Sequence, residues 1–140
     1  MTQSRFDKLN AALRTSDLDA VILNPGPTLT HLTGLQFHLM ERPVVLLFAR
    51  DRVPTIVLPE LELQKVASLP YDLQVFAYPE NPSAWGEVFR KAAQALRLDG
   101  KRIGVEPRQL RLLEFRYVQD SAPEADYPDG SSVLSELRLR

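Results

Sequence analysis

The chain has 140 residues, 44% hydrophobic and 25% charged, with a formal net charge of −1, two histidines and no cysteine. One domain of this length buries roughly two thirds of its unfolded surface, and the near-neutral balance excludes the concentrated basic face that binding of nucleic acid requires. The missing thiols exclude disulfides, a cysteine nucleophile and a cysteine zinc site.

The first ten residues are polar, and no apolar run is long enough to span a bilayer. No membrane partner is expected, and the expected location is cytoplasmic. Phe6, Leu9 and Leu13 recur at helical spacing and predict an amphipathic helix ending near Ser16. Ala20 to Leu23 is apolar throughout, as in a strand covered on both faces. Asn24-Pro25-Gly26-Pro27 breaks it; Pro27 suits a first helical position, where its missing N–H is no loss, and Gly34 supplies the stop. Leu35 to Arg42 is then a polar-aromatic loop, the first place to look for a ligand.

Val44–Phe48 and Thr55–Leu58 predict two more strands. Arg50-Asp51-Arg52 joins them as a hairpin, without the usual Asn-Gly or Asp-Gly. Pro59 opens a helix in which Leu63, Val66 and Ala67 share a face, and Leu73–Ala77 is a short strand. Asn81 caps and Pro82 begins a helix with Trp85, Val88, Phe89, Ala92 and Leu96 along one stripe. After Asp99-Gly100 come a strand, Arg102–Glu106, a helix from Pro107 to about Val118, and an edge strand, Glu124–Tyr127. Ser131 or Ser132 caps a last helix containing Val133, Leu134 and Leu137. This alternation predicts an α/β domain, a single mixed sheet of about six strands with helices on both faces. The last helix meets Arg140 without a glycine, asparagine or other cap, so more protein is expected beyond it.

The chain has no Gly-x-Gly-x-x-Gly after its first strand, no Gly-x-x-x-x-Gly-Lys phosphate loop and no Gly-x-Ser-x-Gly elbow. His31 and His38 stand seven apart, unlike the i, i+4 pair of zinc proteases, and read as a packed helix residue and a loop residue. Glu60, Glu62 and Glu106 fall at helix starts, where negative charge suits the backbone dipole. Trp85 and Phe89 read as core. No catalytic set, metal site or cofactor is expected in these residues.

Four segments together resemble the N-terminal domain of the creatinase, prolidase and aminopeptidase P family of "pita-bread" metallopeptidases. They are Leu32-Thr33-Gly34 after the first strand; Arg42 leading into Val44–Phe48, with Val57-Leu-Pro-Glu-Leu-Glu62 after the hairpin; Arg102-Ile-Gly-Val-Glu106; and Leu134-Ser-Glu-Leu-Arg138. Their order covers nearly the whole chain, with His31 where the family usually has tyrosine. The resemblance implies a ribonuclease H-like mixed sheet over residues 1–130. Residues 131–140 would begin a linker helix to a C-terminal catalytic domain. There, in the family, two aspartates, one histidine and two glutamates hold two divalent metal ions (Mn, Co or Zn), and a bridging hydroxide attacks the scissile carbonyl.

By the same resemblance the chain is the non-catalytic N-terminal domain of an Xaa-Pro dipeptidase or aminopeptidase, shaping the substrate cleft and a homodimer interface. Its partners would be its own catalytic domain, a second copy and small proline-containing peptides. A creatinase-like amidinohydrolase or a metal-free, peptidase-like module that binds peptides or proteins is the alternative parent. The loop Leu35–Arg42 often reaches a neighbouring active site in the family. Here Phe37 would wall an apolar subsite, His38 would hydrogen-bond a substrate terminus, and Arg42 would pair with a carboxylate. Aminopeptidase P-like members often carry His-Glu-Arg where this chain has Met40-Glu41-Arg42.

Overall fold

The computed structural model describes residues 2–38 and 41–138. Leu39 and Met40 of the 35–42 loop, and the last two residues of the 131–140 segment, lie outside the described residues. Ala20–Leu23 forms β1, with all four side chains buried, and everything else is arranged about it. On one side it pairs antiparallel with β2 (Val45–Ala49), Ala20 opposite Ala49 and Leu23 opposite Leu46. On the other it pairs parallel with β5 (Ile103–Gly104), Ala20 opposite Ile103. β2 pairs antiparallel with β3 (Thr55–Pro59), and β3 pairs parallel with β4 (Gln74–Tyr78), giving the order β4-β3-β2-β1-β5.

Successive strand residues point to opposite faces, so an apolar strand needs cover on both sides. Val21, Leu23, Leu46, Phe48, Ile56 and Leu58 face a layer made by α1 (Thr2–Thr15), α2 (Pro27–Thr33) and α5 (Ser131–Arg138). Ala20, Ile22, Val45, Leu47, Val57 and Ile103 face α3 (Trp85–Leu96) and α4 (Leu112–Ser121). The predicted stripe of α3 meets this second face, and Phe89 stacks on Tyr117 of α4 with ring centroids 4.9 Å apart.

The hairpin turn works without a glycine because α1 supplies the missing stabilisation. Asp51 takes a left-handed backbone, φ 64°, which aspartate tolerates better than most residues. Its N–H donates to Asn10 Oδ1 at 2.7 Å, while Asn10 Nδ2 and the Arg14 guanidinium both donate to its carboxylate. Those bonds, Asn10 first, hold the Asp51 carboxyl below the usual carboxylate range. Gly34, at φ 77°, ends α2 as expected and donates its N–H to Thr30 O at 2.8 Å.

Four expectations are corrected. The segment expected as a sixth strand, Glu124–Tyr127, runs parallel to β5 as two isolated bridges only, Arg102 with Asp126 and Val105 with Asp129. Asp126 donates to Lys101 O, Ile103 to Asp126 O, Val105 to Pro128 O and Gly130 to Val105 O. The missing rung is the one Pro128 would have to donate, having no N–H. The helix expected from Pro59 is a 3-10 turn, Glu60–Val66, that buries none of its residues and leaves Leu61 and Leu63 exposed. At three residues per turn Ala67 rotates off the Leu63–Val66 line. The helix expected from Pro107 begins only at Leu112, after a single turn in which Gln109 and Leu110 both donate to Glu106 O. Finally, α5 is capped by Asp129, whose Oδ1 accepts from Ser131 N at 2.8 Å, rather than by a serine hydroxyl. Bonds from Ser131 hold the Asp129 carboxyl below its ordinary range.

The Ile-Gly-Val-Glu stretch has a steric explanation. A Cβ on Gly104 would lie 2.8 Å from Leu18 Cδ1 and 3.3 Å from Gly130 Cα. β5 can therefore lie this close to the 126–130 strap only because both facing positions lack a side chain. Gly104→Ala is expected to destabilise the domain by about 1–3 kcal/mol through overpacking, read as a lower urea midpoint with an unchanged m-value. Gly86→Ala, at a position with open space, serves as the control and should not destabilise.

Candidate functional site

β1 and β5 are parallel neighbours, so the segments that follow them leave the same side of the sheet. Three contacts join these segments. Buried Asn24, at the end of β1, donates from Nδ2 to Gln109 O at 2.8 Å. Thr28 Oγ1 donates to Glu106 Oε2 at 2.7 Å. Gly26 lies so close to Gln109 that a Cβ there would be 3.1 Å from Oε1. Glu106 is thus a tie between two loops. Behind them, fully buried Glu114 accepts from Arg111 Nε at 3.1 Å and Nη2 at 2.5 Å, a geometry that offsets the cost of taking a carboxylate out of water.

The turn so fixed starts α2, and α2 delivers the residues of the main cleft. A cavity of about 950 Å³ is lined by Pro25, Pro27, Thr30, His31, Gln36, Phe37, His38 and Lys65. The segment after Gly34 is held by a chain of bonds. Thr33 Oγ1 donates to Leu29 O at 2.7 Å and accepts from Leu35 N at 3.0 Å, while Thr30 Oγ1 donates to Leu35 O at 2.9 Å. Tyr71 OH donates to Thr33 O at 2.8 Å. Side chains then alternate: Leu35 and Phe37 are buried, whereas Gln36 and His38 are exposed.

Of the residues singled out in the sequence, Phe37 and His38 come together in this cleft and Arg42 does not. Phe37 belongs to the core on the α1 face. Lys65 Nζ sits 4.8 Å from the centre of its ring, donates to Gln36 O at 3.0 Å, and pairs with Glu62 at 3.2 Å. His31 lines the cleft too, and its carbonyl accepts from Arg5 Nη1 at 2.5 Å. Arg42 borders a different groove, of about 530 Å³, with Glu41, Glu80, Pro82 and Trp85. There it pairs with Glu80 Oε1 at 3.2 Å rather than with the adjacent Glu41.

Lys65 is the residue that the sequence did not reveal. Its element was expected to bury an apolar face, and nothing in the spacing ties it to Phe37 twenty-eight positions earlier. The lining offers two imidazoles and an ammonium but no carboxylate. It can donate hydrogen bonds to an anionic or carbonyl oxygen. Among the described residues no three His, Asp or Glu side chains converge as a metal-binding group, and no helix is long and apolar enough to cross a membrane.

Comparison with known proteins gives a consistent result. Residues 5–140 match the family described as the Creatinase/Prolidase N-terminal domain. Among curated proteins, an Xaa-Pro dipeptidase of Lactobacillus helveticus is 26% identical over 135 residues, covering 96% of this chain and 36% of the relative. The chain therefore spans about a third of the length of the curated relatives it matches. The dipeptidase structure from Pyrococcus horikoshii OT3 superposes with a TM-score of 0.83 at 21% identity, over 96% of this chain and 36% of that one. A proline dipeptidase structure from Streptococcus pneumoniae gives 0.79 at 25% identity and covers 96% of both chains.

Burial raises the Tyr71 hydroxyl to about 12 and that of Tyr127 to about 12. Each folded-state value lies above the unfolded one, so the unfolded chain loses these protons first. Stability is then present below pH 10 and is lost as the pH rises from 10 through about 12. Tyr71→Phe is expected to cost about 1 kcal/mol at neutral pH, the worth of the bond to Thr33 O. It should also shallow the alkaline loss, both read by urea denaturation across pH 8–12.

Proposed function

Because the chain belongs to the creatinase/prolidase N-terminal domain family, we propose that it is the non-catalytic N-terminal domain of an Xaa-Pro dipeptidase, a cytoplasmic hydrolase. The observation that carries this reading is the family match over residues 5–140, set beside Xaa-Pro dipeptidase relatives nearly three times as long. In this reading α5 begins the linker to a C-terminal catalytic domain. Two divalent metal ions (Mn, Co or Zn) would supply the Lewis acid there. The residues of this chain do not fit such ions, since the two histidines share their cleft with Lys65 and no carboxylate lines it.

What the chain contributes is one wall of the substrate cleft and a homodimer interface. His38, exposed beside His31 and Lys65 in the main cleft, hydrogen-bonds the terminus of a short proline-containing peptide. Phe37 supports that wall from beneath, its ring buried against the core. Arg42 takes a substrate carboxylate only by exchanging it for Glu80.

The full-length protein tests the reading. With an Xaa-Pro dipeptide and manganese it should turn over, and His38→Ala should raise KM roughly tenfold with kcat nearly unchanged, the sign of binding lost equally in ground and transition states. The 140-residue chain alone, given the same metal, should show no turnover above background. Turnover by the lone chain would refute the non-catalytic assignment. Full-length protein that hydrolyses creatine instead, or that binds the peptide without cleaving it, would replace the dipeptidase with an amidinohydrolase or a binding module.

A further inference from the structure

Among the described residues, two that are not glycine take a positive φ, Asp51 and Arg97. The bonds from α1 account for Asp51. Arg97 ends α3 at φ 53° and ψ 50°, where glycine is the usual residue and a side chain costs stability that glycine would not. Nothing within the fold offsets that cost, for the exposed Arg97 side chain hydrogen-bonds and pairs with no described residue. It lines a small cavity of about 190 Å³ at the end of the sheet away from the main cleft, where β1 begins at Ala20 and β2 ends at Ala49.

Four cations, Arg50, Arg52, Arg97 and Lys101, border this cavity with one carboxylate, Asp19. Asp19 is already engaged: Oδ1 accepts from Arg50 Nη2 at 3.0 Å and Oδ2 from Arg102 N at 2.9 Å. Asp51, between Arg50 and Arg52 in sequence, is held by Asn10 and Arg14. The carbonyls at the end of α3 attract positive charge, which explains Arg52, donating from Nη1 to Ala95 O at 3.3 Å. It does not explain the others. Leu98 and Arg97 N–H groups take the carbonyls of Ala93 and Gln94, and Lys101, like Arg97, has no side-chain partner among the described residues.

We propose that this cavity binds one small dianion of the phosphate type, as free phosphate or as the phosphate group of a monoester. The Arg97 fork takes two of its oxygens, a geometry suited to guanidinium, and the Lys101 ammonium takes a third. Arg50 and Arg52 add charge from the hairpin side. Bound there, the anion joins the end of α3 to the β2–β3 hairpin and to the turn before β5. The cavity suits a single tetrahedral group, and a chain of net charge −1 offers no wider basic face for a polyanion. The site does not depend on the dipeptidase reading.

The test is a titration of the chain with inorganic phosphate at constant ionic strength, followed by ¹H–¹⁵N spectra. The amides of Arg50, Arg97, Leu98 and Lys101 should shift along one saturable curve, and chloride should not reproduce it. Glycerol phosphate separates the two sources: tighter binding than phosphate assigns a monoester, and equal or weaker binding assigns the free ion. Arg97→Gly should bind at least about tenfold more weakly, the loss of a charge-assisted pair. In phosphate-free buffer its urea midpoint should be unchanged or higher, because glycine accepts the left-handed turn. Lys101→Met should also weaken binding and leave the midpoint alone. The proposal is overturned by the absence of a saturable shift, by chloride producing the same shift, or by full-strength binding in either variant. Should Arg97→Gly fail to fold, Lys101→Met, at an exposed turn position, decides alone.

Discussion

The contact between Asn24 and Gln109 holds the cleft end of this domain in place. A buried amide must find partners, and Asn24 finds one across 85 positions of sequence, at the point where two parallel strands release their chains. With Thr28 bonded to Glu106 beside it, the turn into α2 and the turn after β5 behave as one body. The direction of α2 follows from that, and the direction of α2 sets where Thr30, His31 and the 35–38 segment go. The cleft is therefore a product of the β1–β5 pair more than of the loop that lines it.

The same economy appears in how the sheet manages its turns and edges. A hairpin without glycine is made stable by α1, through Asn10 and Arg14 on Asp51. A strap that cannot form a full strand, because Pro128 lacks a donor, still comes close enough to cover β5, because Gly104 and Gly130 face each other without side chains. At β4 no such cover exists among the described residues. One edge is closed within the chain, and the other is open among the described residues.

In the proposed reading this domain is a wall of the substrate cleft and not its reaction centre. Its polar groups of consequence are used on one another: Glu114 on Arg111, Glu106 on Thr28, Glu80 on Arg42. The cleft itself is lined by His31, His38 and Lys65, with Phe37 packed below them. In that reading such a surface would orient a ligand, with bond-breaking left to the catalytic domain.

Helical periodicity marked α1 and α3, and short apolar runs bounded by turn residues marked the first four strands. The stop at Gly34 was equally legible, since a left-handed residue there is a local steric requirement. Only the tertiary structure decided the rest. Whether 124–127 becomes a strand depends on which rung Pro128 is asked to donate. Whether 60–66 buries a face depends on how the connection from β3 to β4 runs over the sheet. Which carboxylate Arg42 chooses, and that Lys65 lies over Phe37, depend on side chains that meet across the fold. Local sequence specifies backbone geometry, because sterics and burial act on neighbours. It is silent on pairings made between distant segments, whose partners are set by where the sheet carries them.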